Sequence, residues 1–327
     1  MKKKNKSSYP PFIFNVFKPA RMTSYDVIRH FKRHLPNGFG KIGHFGTLDP
    51  FASGVLMIGI GGAARLNDFI HEFMPKTYIA TGKLGIDTPT GDYTSEISQT
   101  DDTPYLKEEI ARFPRSFLEE RFREKFLGDY LQAPHKYSAA KFMGKNLHEW
   151  AREGVEVKKE QVLRHIYDIK VLRYKFPYLS IQVTVSSGTY VRTLFSDMAN
   201  DLGTIGSLIS LVRESVGNVS IKNAIYKKDW PQDREEAIIE RGVKVHDVLT
   251  FPRFILNESQ AMAFKNGAFL KLNDLNGETK TSEYSWILDE SSKLLGLAQK
   301  IDEHQIKPKI NFHLEDLADP SSSHSPL

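Results

Sequence analysis

Residues 43–50 read Gly43-His44-Phe45-Gly46-Thr47-Leu48-Asp49-Pro50, and an apolar run, Gly54-Val55-Leu56-Met57-Ile58-Gly59-Ile60-Gly61, follows closely. The run has the length and composition of a short buried strand. Gly43, Gly46 and Pro50 let the preceding backbone turn sharply and approach a bulky ligand. Asp49 therefore sits on a turn anchored by a buried strand, which holds a reactive side chain in place. Alone, Leu48-Asp49-Pro50 reads equally well as a capped turn. The decision comes from the rest of the chain.

The chain has 327 residues, enough for one large domain or a large and a small one. Its apolar content of 40% supplies a core, and a formal charge of +5 favours an anionic partner only mildly. With no cysteine, disulfides, thiolate chemistry and Cys-ligated zinc are excluded. His71-Glu72 and His148-Glu149 lack a second histidine at zincin spacing, so no metal is expected. Tyr9-Pro10-Pro11-Phe12 interrupts any signal-peptide core behind the basic N-terminus, and no apolar run reaches membrane-spanning length. The expectation is a cytoplasmic protein with no membrane association.

Local patterns outline the elements. Phe12 to Phe17 reads as a strand, and Thr23-x-x-Asp26 opens a helix with Val27, Ile28, Phe31 and Leu35 on one face. A helix is expected over 63–73, and Lys76 to Leu84 alternates as a strand with Tyr78, Ala80 and Gly82 on one face. Residues 105–127 look helical. Val162–Phe176 and Tyr178–Val185 read as an antiparallel pair joined near Pro177, and Thr189–Leu202 as an amphipathic helix. A second unit, with a short helix and a hairpin turning at Glu290-Ser291-Ser292-Lys293, begins near Phe251-Pro252.

The stretch Lys41–Leu66, KIGHFGTLDPFASGVLMIGIGGAARL, resembles the signature of the TruB family of tRNA pseudouridine synthases, roughly GHxGTLDPxAxGVL followed by a glycine-rich turn and Arg/Lys-Leu. The likeness begins upstream at Lys18-Pro19-Ala20-Arg21-Met22-Thr23-Ser24. It continues through Lys76-Thr77-Tyr78, Tyr137-Ser138-Ala139-Ala140-Lys141 and Ser187-Gly188-Thr189-Tyr190-Val191-Arg192-Thr193-Leu194. Ordered blocks over most of a chain are far more specific than any single motif.

The resemblance implies an α+β pseudouridine synthase fold with a mixed, largely antiparallel central sheet flanked by helices. It divides the chain into a catalytic domain over 1–250, with an RNA-gripping insertion at about 128–159. A small β-rich PUA-like RNA-binding module over 251–314 follows, and the Pro- and Ser-rich composition of Pro320–Pro326 marks 315–327 as a disordered tail. The resemblance also implies conversion of uridine 55 in the TΨC arm of tRNA to pseudouridine, without a cofactor and without a protein partner, by a monomer. A non-catalytic tRNA-binding or tRNA-folding protein on the same fold is the alternative.

By the same resemblance Asp49 is the catalytic carboxylate, whether it attacks C1′ or C6 or assists a glycal route. Each route needs the ionised form. Burial would raise the pKa of such a carboxylate and a neighbouring cation offsets that. Arg192 matches the family position for this cation, although an arginine on a helix is otherwise a surface ion-pair residue. Tyr78 matches the tyrosine that stacks on the extruded base and takes part in proton transfer, a place a core tyrosine would equally fill. Tyr190 matches a second pocket tyrosine, His44 a histidine that contacts the substrate RNA, and Leu211 the apolar residue covering the base. Leucines at helical spacing, as around Leu211, are ordinarily core. Lys18, Lys136, Lys141, Lys145 and Arg152 are the expected RNA contacts, the last four interleaved with Tyr137, Phe142 and Trp150.

Five departures stand out. Phe45 replaces a small polar residue, which would alter the loop beside Asp49, and Ser187 stands where a lysine commonly precedes Gly188. Ala64 replaces Thr or Ser, Asp87–Asp92 is a loose version of an Asp/Thr-rich loop, and Val212 and Glu214 thin an arginine run around Arg213. A rival reading, a dinucleotide site at Gly59-x-Gly61-x-x-Ala64, lacks the acid that should follow about 20 residues on.

Overall fold

Strand β1 (Phe12–Lys18) is apolar enough to be buried along nearly its whole length, and it lies antiparallel to β3 (Ser53–Ile60), the run that follows Asp49. The computed structural model describes residues 9–133, 141–146, 149–150, 153, 155, 160–234, 236–277 and 282–312. Of the expected RNA contacts, Lys136 and Arg152 lie outside these residues, as does the tail over 315–327. Lys141 and Lys145 lie on a two-stranded hairpin, Lys141–Phe142 with Lys145–Asn146.

The remaining strands of the first sheet are β2 (Ile42–His44), β4 (Lys76–Leu84), β5 (Gly128–Gln132), β6 (Val162–Lys175), β7 (Tyr178–Val185), β8 (Gly206–Val216), β9 (Val219–Ser220) and β10 (Val243–Lys244). Their order is β10-β1-β3-β8-β4-β7-β6-β5, with β2 beside β3 and β9 beside β8. Every pairing is antiparallel except β3 with β8. Gly54 sits at that parallel contact with φ +113°, where a Cβ would lie 2.2 Å from the Arg213 carbonyl oxygen. The glycine lets the two backbones meet. Because β3 and β4 are separated by β8 and run antiparallel, the βαβ unit a dinucleotide site requires is absent there.

Helices cover the sheet where their apolar faces demand it. In α1 (Ser24–His34) Thr23 and Asp26 form a reciprocal cap, as the sequence signals, and Val27, Ile28 and Phe31 are buried. The expected helix over 63–73 is split: a 3-10 turn at Gly61–Leu66 precedes α2 (Asn67–Phe73). Pro114, lacking an N–H, likewise divides residues 105–127, so that α3 spans Arg115–Phe126. In α4 (Val191–Asp201) the expected Val191, Leu194, Phe195 and Met198 face inward, and Arg192 does too. Segment Leu208–Arg213, read as helical in spacing, is strand β8 instead.

A second sheet comprises β11 (Arg253–Leu256), β12 (Leu270–Lys271), β13 (Asn276–Gly277), β14 (Tyr284–Asp289), β15 (Leu294–Lys300) and β16 (Gln305–Asn311), in the order β12-β16-β15-β14-β11-β13. Helix α5 (Glu258–Lys265) packs Ala261 and Phe264 on it. Its other face shares one apolar cluster with the first sheet, in which Trp286, Leu297 and Phe312 meet Val55, Met57 and Phe69. The two sheets are thus joined through a common core.

Candidate active site

Loop 45–52 crosses the sheet face that carries Tyr78, Ala80, Leu211 and Arg213, since Tyr78 lies opposite Arg213 and Ala80 opposite Leu211. Its carbonyls are held one by one. Buried Arg213 donates from Nη2 to Gly46 O (3.0 Å), from Nη1 to Thr47 O (3.4 Å) and from Nε to Val55 O (2.7 Å). Ser24 Oγ both accepts from Leu48 N (3.0 Å) and donates to Leu48 O (3.2 Å). The Asp49 carbonyl accepts from Ala52 N, and the Pro50 carbonyl from Arg21 N. Lys18 Nζ donates to Met22 O (2.7 Å), Pro19 O (3.1 Å), Pro50 O (3.5 Å) and Ala52 O (2.6 Å).

This corrects the expectation for Lys18. The Lys18 ammonium is buried with its donors all taken by backbone carbonyls, so it is a loop anchor with none left for RNA. Burial pushes its pKa down to about 8, against the pull of nearby Asp49. Arg213 is 1% exposed, so it contributes no surface charge whether or not arginines flank it. Phe45, expected to alter the loop beside Asp49, is buried. Its ring packs into the core against Gly59. Gly43 lies within β2, and the left-handed turn falls on Gly46, φ +91°.

The loop aims Asp49 at α4. Arg192 Nε is 3.0 Å from Asp49 Oδ2, and Arg192 Nη1 is 3.4 Å from Asp92 Oδ2 and donates to Thr90 O at 2.9 Å. The arginine is buried, whereas Asp49 keeps 36% of its side-chain surface, so the carboxylate faces an opening with the guanidinium behind it. Burial raises the Asp49 pKa, Arg192 pulls it back, and Asp92 pushes it up again. The expected offset by Arg192 is therefore partial. Asp92 is itself buried and accepts from Thr94 N at 2.9 Å and Thr90 Oγ1 at 3.0 Å.

Tyr78 and Leu211 share an apolar cluster with Leu48, Phe51 and Val191, so both flank the Asp49 loop. Tyr190 is the N-cap residue of α4. Its backbone is clamped by the buried Gln132 amide, which accepts from Tyr190 N at 2.8 Å and donates to Tyr190 O at 3.0 Å. His44 lies on β2 with Nδ1 buried and unpaired among the described residues. Burial, then Arg213, holds its imidazole below the ordinary histidine pKa, hence neutral at pH 7.

Sequence reasoning passed over Asp92 and Gln132. The signal for Asp92 was the turn-rich Asp87–Asp92 loop. Gln132 offered none, because its role depends on which backbone the fold brings alongside. What is assembled can hold an ionised carboxylate at the edge of an apolar cluster that includes Tyr78 and Phe51, and stabilise its charge from behind.

The model of "TruB family pseudouridylate synthase (N terminal domain)" matches residues 32–191. A protein of Clostridium tetani named tRNA pseudouridine synthase B is 36% identical over 293 residues, 89% of this chain and 96% of that one. One of Pasteurella multocida with the same name is 31% identical over 304 residues, 90% and 92% of the two chains. Among solved structures, a chain of a Cbf5-Nop10-Gar1 complex superposes with a TM-score of 0.66 at 22% identity, covering 92% of this chain and 85% of that one. A chain of an H/ACA RNP bound to a substrate RNA containing 2′-deoxyuridine gives 0.64 at 21%, covering 92% and 85%. At such identity these two speak for the fold.

Proposed function

The chain belongs to the TruB family of pseudouridylate synthases, and from that premise we propose that it isomerises uridine 55 in the TΨC arm of tRNA through Asp49. It is an isomerase that makes pseudouridine in tRNA. The observation that carries the finer reading is the 3.0 Å contact of buried Arg192 with the half-open Asp49 carboxylate, beside the apolar cluster of Tyr78, Leu211 and Phe51. An ionised acid is what attack at C1′ or C6, or deprotonation at C2′, demands.

The base must first leave the stack, at a cost of a few kcal/mol. Stacking on Tyr78 would return about 1–3 kcal/mol, with Leu211 closing the pocket from the neighbouring strand. Arg192 keeps Asp49 charged as the site closes, and the apolar lining of Leu48, Phe51 and Val191 limits water at the cleaved bond. Tyr190 and His44 are read as further substrate contacts, and Lys141 and Lys145 as phosphate contacts of the insertion. The second sheet is read as a PUA-like RNA-binding module over 251–314. The enzyme works as a monomer without a protein partner on this reading, which a sedimentation measurement tests.

Incubation with an unmodified tRNA transcript, followed by carbodiimide adduct mapping, tests the proposal. Pseudouridine at position 55 is expected. Product at another position would overturn the substrate reading and leave the chemistry standing.

A further inference from the structure

Behind the Asp49 loop, beside its anchor Arg213, lie three basic side chains that the chemistry above does not use, Lys76, His71 and Arg164. Lys76, the first residue of β4, is 4% exposed, and its ammonium donates to the Ser187 hydroxyl. Lys76 Cε, Arg213 Nη1 and His71 Cε1 converge on Gly46: a Cβ built there would lie 3.4, 3.5 and 3.7 Å from them. Arg164 packs over Gly188, with its guanidinium carbon 3.0 Å from a Cβ position there, and donates from Nη1 to Ser187 O at 3.4 Å. Among the described residues no carboxylate lies within ion-pair distance of Lys76, Arg164 or Arg213. Beyond that distance Asp68, on the helix of His71, acts on His71, and Asp49 and Arg213 act on each other, while neither of these acids acts on Lys76.

Buried ammonium groups are ordinarily paired. This one has a neutral hydroxyl and a neighbouring guanidinium instead, and burial, then Arg213, pushes it down to about 7. A cationic group of this kind, one hydroxyl beneath a half-exposed loop, is short of one anion. Its place says which. Lys76 and Tyr78 share a face of β4 two residues apart, about 6.7 Å along the strand. Ser187 and Gly188 belong to the turn that leads into the Arg192 helix, and Gly46 to the loop that carries Asp49. A nucleotide with its base against Tyr78 and its sugar at Asp49 puts a backbone phosphate in this corner.

We propose that Lys76, Ser187, Arg164 and His71 form a binding site for one phosphodiester bordering the flipped uridine. This rests on the reading of RNA as substrate. It gives Lys76 the role of positioning the sugar–base junction over Asp49 through the strand's backbone, and it gives Ser187 the role of carrying that cation to the surface.

The test is a binding cycle with full-length protein in the Asp49→Asn background and synthetic TΨC-arm hairpins. Each hairpin carries one neutral methylphosphonate at a linkage near the target uridine. Lys76→Met and Arg164→Gln should each weaken binding of the all-phosphate hairpin at least about fivefold and lower the salt slope by about 0.7–0.9, the value of one phosphate. A methylphosphonate at a single bordering linkage should abolish that difference, and one placed elsewhere should leave it. Equal losses at every linkage, or no loss, overturn the site. Should Lys76→Met melt below the assay temperature, the Arg164→Gln cycle decides by the same criterion. Failure of the native enzyme to convert the unmodified hairpin sinks the functional reading alone, and the masking pattern still decides the site.

Discussion

The guanidinium of Arg192 is divided between Asp49 and Asp92, with Nε 3.0 Å from one carboxylate and Nη1 3.4 Å from the other. Such a division needs the flat, forked group of arginine, because a single ammonium cannot span two acids in this geometry. Arg192→Lys should therefore lose most turnover. Asp92→Asn keeps an acceptor but removes the charge that orients the far side of the fork, and should lower kcat about 10–100-fold, or about 1.4–2.7 kcal/mol. Single-turnover tritium release from labelled tRNA measures both. Near-normal rates for Asp92→Asn would mean that Asp92 only supports the fold.

Asp49→Asn retains the size and hydrogen-bonding shape of the side chain and removes its charge. Isomerisation should vanish, while tRNA binding stays within a few-fold of the native value. Product formed at the native rate would end the assignment of Asp49.

The pH profile carries a sign that can be checked. The Asp49 pKa is raised above 3.8 by burial, with Arg192 opposing the rise. Activity depends on the ionised form, so it should fall on acidification, with an acid limb lying above the ordinary aspartate value. Arg192→Gln removes the opposing cation, and the limb should move further up in whatever activity remains. A limb at or below 3.8 would contradict the environment described for Asp49.

Much of this arrangement was legible because it is local. The Thr23–Asp26 cap, the alternation of Lys76–Leu84 and the inward face of α4 each follow from residues a few positions apart. Asp49 and Arg192 were legible as neighbours through their motif blocks, although the share of the guanidinium taken by Asp92 was not. Lys18 looked like a surface cation until a carbonyl-rich loop was laid over it. Leu208–Arg213 misled because a short apolar run does not distinguish helix from strand.

Lys18→Met separates anchoring from RNA contact. It leaves the buried carbonyl of Ala52 without its donor, worth about 1–3 kcal/mol, and the part-buried carbonyl of Met22 as well. Unfolding in urea should show a loss of at least about 2 kcal/mol. The salt slope of tRNA binding should not change, since no phosphate contact is removed. A native melting curve with a shallower slope would restore Lys18 to the RNA surface.

Phe45 offers a test of how the chain accommodates its departure from the family pattern. The ring is 2% exposed and fills the space over Gly59, where a Cβ would come within 2.6 Å of it. Phe45→Ser restores a small polar residue at this position, but here it opens a cavity and buries an unpaired hydroxyl. The loss should match a Phe→Ala truncation, about 3–5 kcal/mol. The Asp49 loop itself hangs on Arg213, Ser24 and Lys18, none of which the substitution touches. Turnover per folded molecule, measured at low temperature, should stay within about twofold of native while the melting temperature drops by several degrees. If rate and stability fell together, the ring would be shaping the loop rather than filling the core beneath it.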